Sequence, residues 1–359
     1  MNILFLVPYP EEGPSNRYRI EQYLPYLRQL GHYYWVRPFW NSGAYRILYK
    51  NGYYFKKAFY FFLGTLNRFI DILVVFKYDV VFIHREFYPF GPPFFEWLIH
   101  KFKKPIIFDF DDAIFLQNFN PANRIYRFLK FSSKTKKIVN MSSAVIVANK
   151  FLEEYALRYN SRVYIIPTSI DTEKFTIKKR DAGKLVIGWI GSPTTSPYLN
   201  IIFDAMRKLS GRYDFVFKIV GAGKPVVIKG VNIQNCDWQL EREILDFQSI
   251  DIGVYPLPDT LWVRGKAAFK AIQYMSVGVP VVASPVGMAK EIIQDGVNGF
   301  LAGSDEEWVK KISILIEDRD LRARIGLEGR KTAEQKFSVK ANVEILKHVI
   351  GVSKAPLVC

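Results

Sequence analysis

The chain has 359 residues, 49% of them apolar, with a formal net charge of +16. That length exceeds one ordinary core and predicts two domains, while only two cysteines, Cys236 and Cys359, exclude a disulfide framework and a cysteine-built metal site. Residues 1–165 carry 23 Lys and Arg against 12 Asp and Glu, so +11 of the +16 lies there, pointing to an anionic partner for the first half or to a generally basic proteome.

In chain order, Asn2–Pro8 lacks a basic leader and has too short an apolar run for a signal peptide, so it reads as a first buried strand. A loop with Gly13, Arg17 and Arg19 follows, then a helix over Ile20–Leu30 stopped by Gly31. Tyr33–Phe39 is a second strand. Tyr45–Lys77 mixes aromatics with cations. It is read either as an amphipathic helix on an anionic membrane surface or as a helix packed on the sheet with its lysines solvated. Asn67, Arg68 and Asp71 interrupt its apolar run, so it is not expected to span a bilayer.

Asp79–His84 and Pro105–Phe110 are strands that end in His84-Arg85-Glu86 and Asp109-Phe-Asp111-Asp112. Open α/β sheets bind ligands beyond the carboxyl ends of their strands, which makes both tips candidate sites. There the carboxylates orient or deprotonate a hydroxyl, cap the next turn, or pair with Arg85. Arg124, Arg127, Lys130, Lys134, Lys136 and Lys137 read as a solvated basic helix face. Strands at Ala144–Asn149 and Val163–Ile166 close the first half, and Thr176–Gly183 reads as a linker.

The second half opens with a strand from Leu185 into the loop Gly191-Ser192. Phe215–Gly221 is the next strand, and its Gly221-Ala-Gly223-Lys224-Pro225 ending matches neither a P-loop nor a nicotinamide fingerprint. Val231–Asn235 is a strand and Glu241–Phe247 a helix. Asp251–Leu257 then runs through a loop into a helix over Ala267–Val277, capped by Gly278, and on to the strand Val279–Ala283. Arg264, Gly265, Lys266 and Lys270 cluster at that helix start. Such a start suits a diphosphate, or is an ordinary βαβ unit with a solvated basic end. Trp308–Lys336 is helical, and Val339–Val352 is a last amphipathic helix.

The run Lys270, Gln273, Tyr274, Met275, Gly278 and Pro280–Ala283, with Glu291, Gly296 and Asn298-Gly299 after it, resembles the donor segment of glycosyltransferase family 4. The resemblance implies an α/β chain of the GT-B fold, with two Rossmann-like domains facing a central cleft and a C-terminal helix crossing back to the first. Its division would be 1–172 for the acceptor, a linker over 173–184, 185–336 for the donor, and 337–359 for the crossing helix and tail. It implies a donor site at Gly191, Ser192, Gly221, Tyr255, Arg264, Gly265, Lys266, Lys270, Gln273, Gly287, Met288 and Glu291. Arg17, Arg19, His84 and Arg85 would face the acceptor, with Asp111, Asp112 and Lys270 in catalysis.

Gly265 and Gln273 stand where that family usually has two glutamates, and the Gly191-Ser192 loop lacks its arginine and lysine, for which Arg264 and Lys266 are expected to substitute. The expected activity moves a sugar from a nucleotide diphosphate sugar to an acceptor hydroxyl, with retention and without metal or other cofactor. The expected acceptor is a lipid-linked or cell-surface polysaccharide precursor. The expected place is the cytoplasm, on the inner face of the membrane. Nothing except charge favours nucleic acid, so no nucleic-acid partner is expected. The alternative is a non-catalytic GT-B relative that binds a glycan or an anionic membrane surface.

Overall fold

The structure, a computed structural model, describes residues 1–50, 52–116, 131, 133–177 and 183–353. Arg124, Arg127, Lys130, Cys359 and the middle of the expected linker lie outside the described residues. The chain divides into two compact units, Met1–Ser169 with Asn342–Cys359, and Ile170–Ala341. Among the described residues each unit holds one six-stranded sheet in which every pairing is parallel.

The first unit's strands are β1 (Asn2–Val7), β2 (Tyr33–Pro38), β3 (Val80–His84), β4 (Ile106–Phe110), β5 (Ala144–Val147) and β6 (Val163–Ile165), in the order β2-β1-β3-β4-β5-β6. Strands β3, β4 and β5 are buried along their whole length, as parallel strands covered on both faces must be. Its helices are α1 (Pro14–Arg19), α2 (Leu24–Gln29), α3 (Ser42–Leu48), α4 (Tyr54–Val74), α5 (Phe94–Lys101), α6 (Lys134–Met141) and α7 (Lys150–Leu157).

Three expectations are corrected by the structure. The single helix over Ile20–Leu30 is a 3-10 turn at Glu21–Tyr23 followed by α2, because Pro25 has no N–H to donate and sits instead in the first turn of α2. The long basic element is also two helices, separated at Gly52 and Tyr53, both with left-handed φ. Lys134, expected on a solvated face, is buried and donates to the carbonyl of Tyr88.

The second unit has β7 (Leu185–Ile190), β8 (Phe215–Val220), β9 (Ile233–Cys236), β10 (Ile252–Tyr255), β11 (Val281–Ala283) and β12 (Phe300–Leu301). Their order, β12-β11-β10-β7-β8-β9, is the dinucleotide-binding order of a Rossmann sheet. Helices α8 (Phe203–Ser210), α9 (Glu243–Gln248), α10 (Leu261–Arg264), α11 (Phe269–Ser276), α12 (Met288–Ile292), α13 (Asp305–Glu317) and α14 (Arg319–Thr332) accompany it. Ile187, Trp189, Phe217, Ile219 and Trp308 belong to its core. The expected helix from Ala267 starts later, at Phe269, because Ala268 sits in the left-handed region at φ +48°. The last helix, α15 (Val339–Val352), carries the chain out of this unit, and from Asn342 on it groups with the first.

Candidate functional site

In an open parallel sheet the ligand crevice lies where strand order reverses, outside the carboxyl ends. In the first unit that point falls between β1 and β3, and in the second between β7 and β10.

In the first unit, His84 ends β3 directly opposite Asp109 of β4. His84 Nδ1 lies 2.6 Å from Asp109 Oδ2, and His84 Nε2 lies 2.6 Å from Ser15 Oγ. An ionised carboxylate only accepts, so Nδ1 carries the proton, and in the neutral ring Nε2 accepts from the Ser15 hydroxyl. Arg19 pairs with the same carboxylate and donates 2.6 Å to the carbonyl of Ile166. Burial raises the Asp109 carboxyl, but Arg19 and His84 outweigh it and hold it below the ordinary carboxylate value. His84 and Asp109 are fully buried, whereas Ser15 is half-buried and forms the outward end of the chain.

Arg85 comes next, at φ +62°, a conformation that costs a non-glycine residue. Its N–H donates to the Asp109 carbonyl. Its guanidinium reaches Asp111 at 2.7 Å and Asp112 at 2.7 Å. Of the roles open to these carboxylates, pairing with Arg85 is the one seen. Burial raises the Asp111 carboxyl, yet Arg85, with His84 and Arg19 behind it, holds it far below the carboxylate range. A group so acidic is a poor proton acceptor near neutral pH. Arg19 and His84, expected to meet an acceptor directly, are instead buried and committed to Asp109. Arg17 is half-buried, with its guanidinium 4.8 Å from the ring centre of Tyr18. Ser15 and Asp109 were not among the expected site residues. Asp109 had a signal in its place at a strand tip; Ser15 had none.

In the second unit, the loop after β7 is held by its own hydroxyls. Ser192 Oγ lies 2.8 Å from Thr194 Oγ1, and the Ser192 N–H donates 3.2 Å to Thr195 Oγ1. Gly221, at φ +79°, turns against it so closely that a Cβ would meet the Gly191 carbonyl oxygen at 2.6 Å. After β10 with its terminal Tyr255, Thr260 caps α10. Arg264, expected at a phosphate, is exposed and paired with Asp259 at 2.7 and 2.9 Å. Gly265 is buried, and Lys266 lies 5.8 Å over the Trp262 ring.

On α11, Lys270 Nζ donates 2.9 Å to Gln273 Oε1 and lies 5.2 Å over the Phe247 ring. Gln273 is fully buried and donates 3.2 Å to Glu243 Oε1 of α9. Sequence reasoning missed Glu243, which stands 30 residues away. Gly287, at φ +53°, passes so near Arg264 that a Cβ would lie 2.9 Å from its backbone. Met288 behind it is buried, and Glu291 is exposed. This unit thus carries glycine turns at Gly221 and Gly287, after β8 and β11, and three cations, Arg264, Lys266 and Lys270, on the segment that follows β10. Among the described residues, no three His, Cys, Asp or Glu side chains group so as to hold a metal ion.

Comparison with known proteins singles out the same unit. Residues 184–318 match the family model described as Glycosyl transferases group 1. An uncharacterized glycosyltransferase of Methanocaldococcus jannaschii is 29% identical over 173 residues, 46% of this chain and 46% of its own length. EpsD of Bacillus subtilis, described as a glycosyltransferase, is 22% identical over 71% of this chain and 64% of its own length. The matched stretches thus span less than two thirds of either curated relative. Among solved structures, Anabaena HepE in complex with UDP superposes with a TM-score of 0.64 at 18% identity, covering 98% of this chain and 100% of that one. HepE has also been solved with UDP-glucose. The likeness shows the fold, which is GT-B, built from two Rossmann-like units.

Proposed function

We propose that the chain is a glycosyltransferase of the group 1 type, transferring a sugar, a hexose in our reading, from a nucleotide diphosphate sugar to an acceptor hydroxyl. The observation that carries this is the coincidence, in residues 184–318, of the family match with a Rossmann-ordered sheet whose strands run on into glycine turns and a lysine-bearing segment. In this reading the diphosphate lies on the Gly191-Ser192 loop and the Gly287 turn. Lys266 and Lys270 neutralise the charge that grows on the leaving diphosphate, and Arg264 can join them once released from Asp259. The bond from the anomeric carbon to the phosphate oxygen breaks, and one to the acceptor oxygen forms.

A strongly acidic Asp111 is consistent with retention by front-face attack, in which the acceptor proton passes to the departing phosphate oxygen. Asp111 and Asp112 would then hold Arg85 in place beside the acceptor. We infer a lipid-linked or surface-polysaccharide precursor as acceptor, in the cytoplasm, with no cofactor beyond the co-substrate.

The test is thermal unfolding of the purified protein with UDP, GDP, ADP and TDP, with and without divalent metal. A nucleotide at about a hundred times its dissociation constant stabilises the native state by roughly 2.7 kcal/mol. A shift with one nucleotide that is lost in Lys270→Ala supports the reading and names the base. No shift with any of them overturns it in favour of a non-catalytic relative.

A further inference from the structure

Helix α4 turns an apolar stripe to solvent while burying a pair of charges. Phe55, Phe59, Phe62, Leu66, Phe69 and Leu73 recur at alternating steps of four and three, and all six are exposed, Phe55 at 93% and Leu73 at 76%. Phe76 continues the stripe just past the helix end. The face turned inward sets a pair of charges among apolar contacts made by Phe61 and Ile72. Arg68 and Asp71 are fully buried and paired at 2.8 Å. Arg68 also donates to the carbonyls of Phe87 at 2.7 Å, Val7 at 2.9 Å and Arg37 at 3.1 Å. Gly64 lets the helix approach so closely that a Cβ would lie 2.8 Å from the Phe39 carbonyl oxygen.

The apolar face continues onto α5. Phe69 meets Phe95 at 5.3 Å and Phe76 meets Phe102 at 4.9 Å, bringing exposed Phe94 and Trp97 to the same side. Cations border it at both ends, with Lys50 and Lys56 at one and Lys77, Lys101 and Lys103 at the other, all exposed. Residues 50–78 contain no acidic side chain except the buried Asp71, and Glu96 of α5 is buried as well.

We propose that this face docks the protein on an anionic lipid bilayer, with α4 lying in the interfacial plane. A row of phenylalanines framed by lysines, without a carboxylate, matches acyl chains beneath negative headgroups. Tyr54–Lys77 is long enough to cross a membrane, and an 18-residue window within it has a mean hydropathy of 1.6. Crossing would strip Arg68 and Asp71 of their partners in the sheet, and that cost keeps the helix against its unit. A second copy is a poor occupant, because two such faces bring lysine against lysine in either orientation. The surface is independent of the transferase reading, since vesicle binding is measured without turnover.

The experiment is co-sedimentation of the full chain with vesicles of phosphatidylcholine alone and of phosphatidylcholine mixed with phosphatidylglycerol, at low and high salt. Binding is expected only with the anionic vesicles, weakening with salt, and with a blue shift of tryptophan emission that Trp97→Phe reduces. Phe55→Ser/Phe62→Ser/Leu73→Ser should lower affinity at least about tenfold while leaving Tm unchanged, since the side chains it removes are exposed. Lys56→Glu/Lys101→Glu should weaken binding to anionic vesicles only. Absence of wild-type binding, or serine-variant binding equal to wild type, overturns the proposal. So does a concentration-dependent dimer that the serine variant abolishes and that shows no vesicle binding.

Discussion

Removing a single oxygen atom at Tyr274 tests how α11 is joined to the loop expected to meet the donor. Tyr274 is fully buried, and its hydroxyl donates 3.0 Å to the carbonyl of Gly188 and accepts at 3.1 Å from the N–H of Ile190. Those two groups lie on β7 where its pairing with β10 ends at Gly188. The hydroxyl therefore completes the ladder that β10 no longer supplies, one residue before Gly191. Burial pushes the phenol far above its ordinary value, so it stays neutral and keeps its proton to donate.

Tyr274→Phe keeps the ring, which lies against Gly253 and 5.0 Å from Phe247. It leaves one buried acceptor and one buried donor unpaired. At about 1–3 kcal/mol for each orphaned group, with some relaxation, the expected loss is about 3 kcal/mol. For a unit of this size that lowers Tm by about 6–12 °C. Differential scanning calorimetry of both proteins measures it. The same loosening should weaken the nucleotide identified by thermal shift, because Ile190 leads directly into the Gly191-Ser192 loop. An unchanged Tm would refute the reasoning, showing that another group already serves both backbone atoms.

Gly287→Ala is expected to lower Tm and to reduce nucleotide affinity at least about tenfold, since a Cβ at φ +53° and ψ −139° costs about 1–3 kcal/mol and also strikes the backbone of Arg264, so that the turn must move. Isothermal titration with the identified nucleotide checks it, and wild-type affinity would place the diphosphate elsewhere. Asp109→Asn leaves buried Arg19 without its counter-ion and should destabilise the first unit by about 3–5 kcal/mol near neutral pH. The native Asp109 carboxyl is held below its unfolded value, so its stabilisation is complete above about pH 4 and disappears as pH falls through the native value. Wild-type Tm should therefore fall towards the variant's on acidification; curves that remain parallel down to acid unfolding would exclude this role for Asp109.

What the sequence discloses and what it hides divide along one physical line. Continuous apolar runs such as Ile106–Phe110 and Ala144–Val147 mark buried strands because a parallel strand covered on both faces has no polar side to show. The strand tips are equally legible, since a charged residue straight after such a run, such as Arg85 or Asp111, stands where ligands bind. Pairing is another matter, because periodicity reports burial along one dimension and a salt bridge joins two places in three. Arg19 and Asp109 are 90 residues apart, and nothing in either neighbourhood names the other. Arg68 and Asp71 look like solvated breaks in an apolar helix, yet they are buried, and Arg68 donates to a carbonyl of the sheet beneath them.

The same line governs Gln273. Read motif by motif, it lacks the negative charge that the family it resembles carries there. In space, Glu243 reaches it from α9, so the carboxylate stands one hydrogen bond away, supplied by a different helix. A residue missing from a motif is therefore weak grounds for a missing activity until the side chains packed against that position have been identified. Here they restore to the Lys270 neighbourhood the charge that the linear pattern omits.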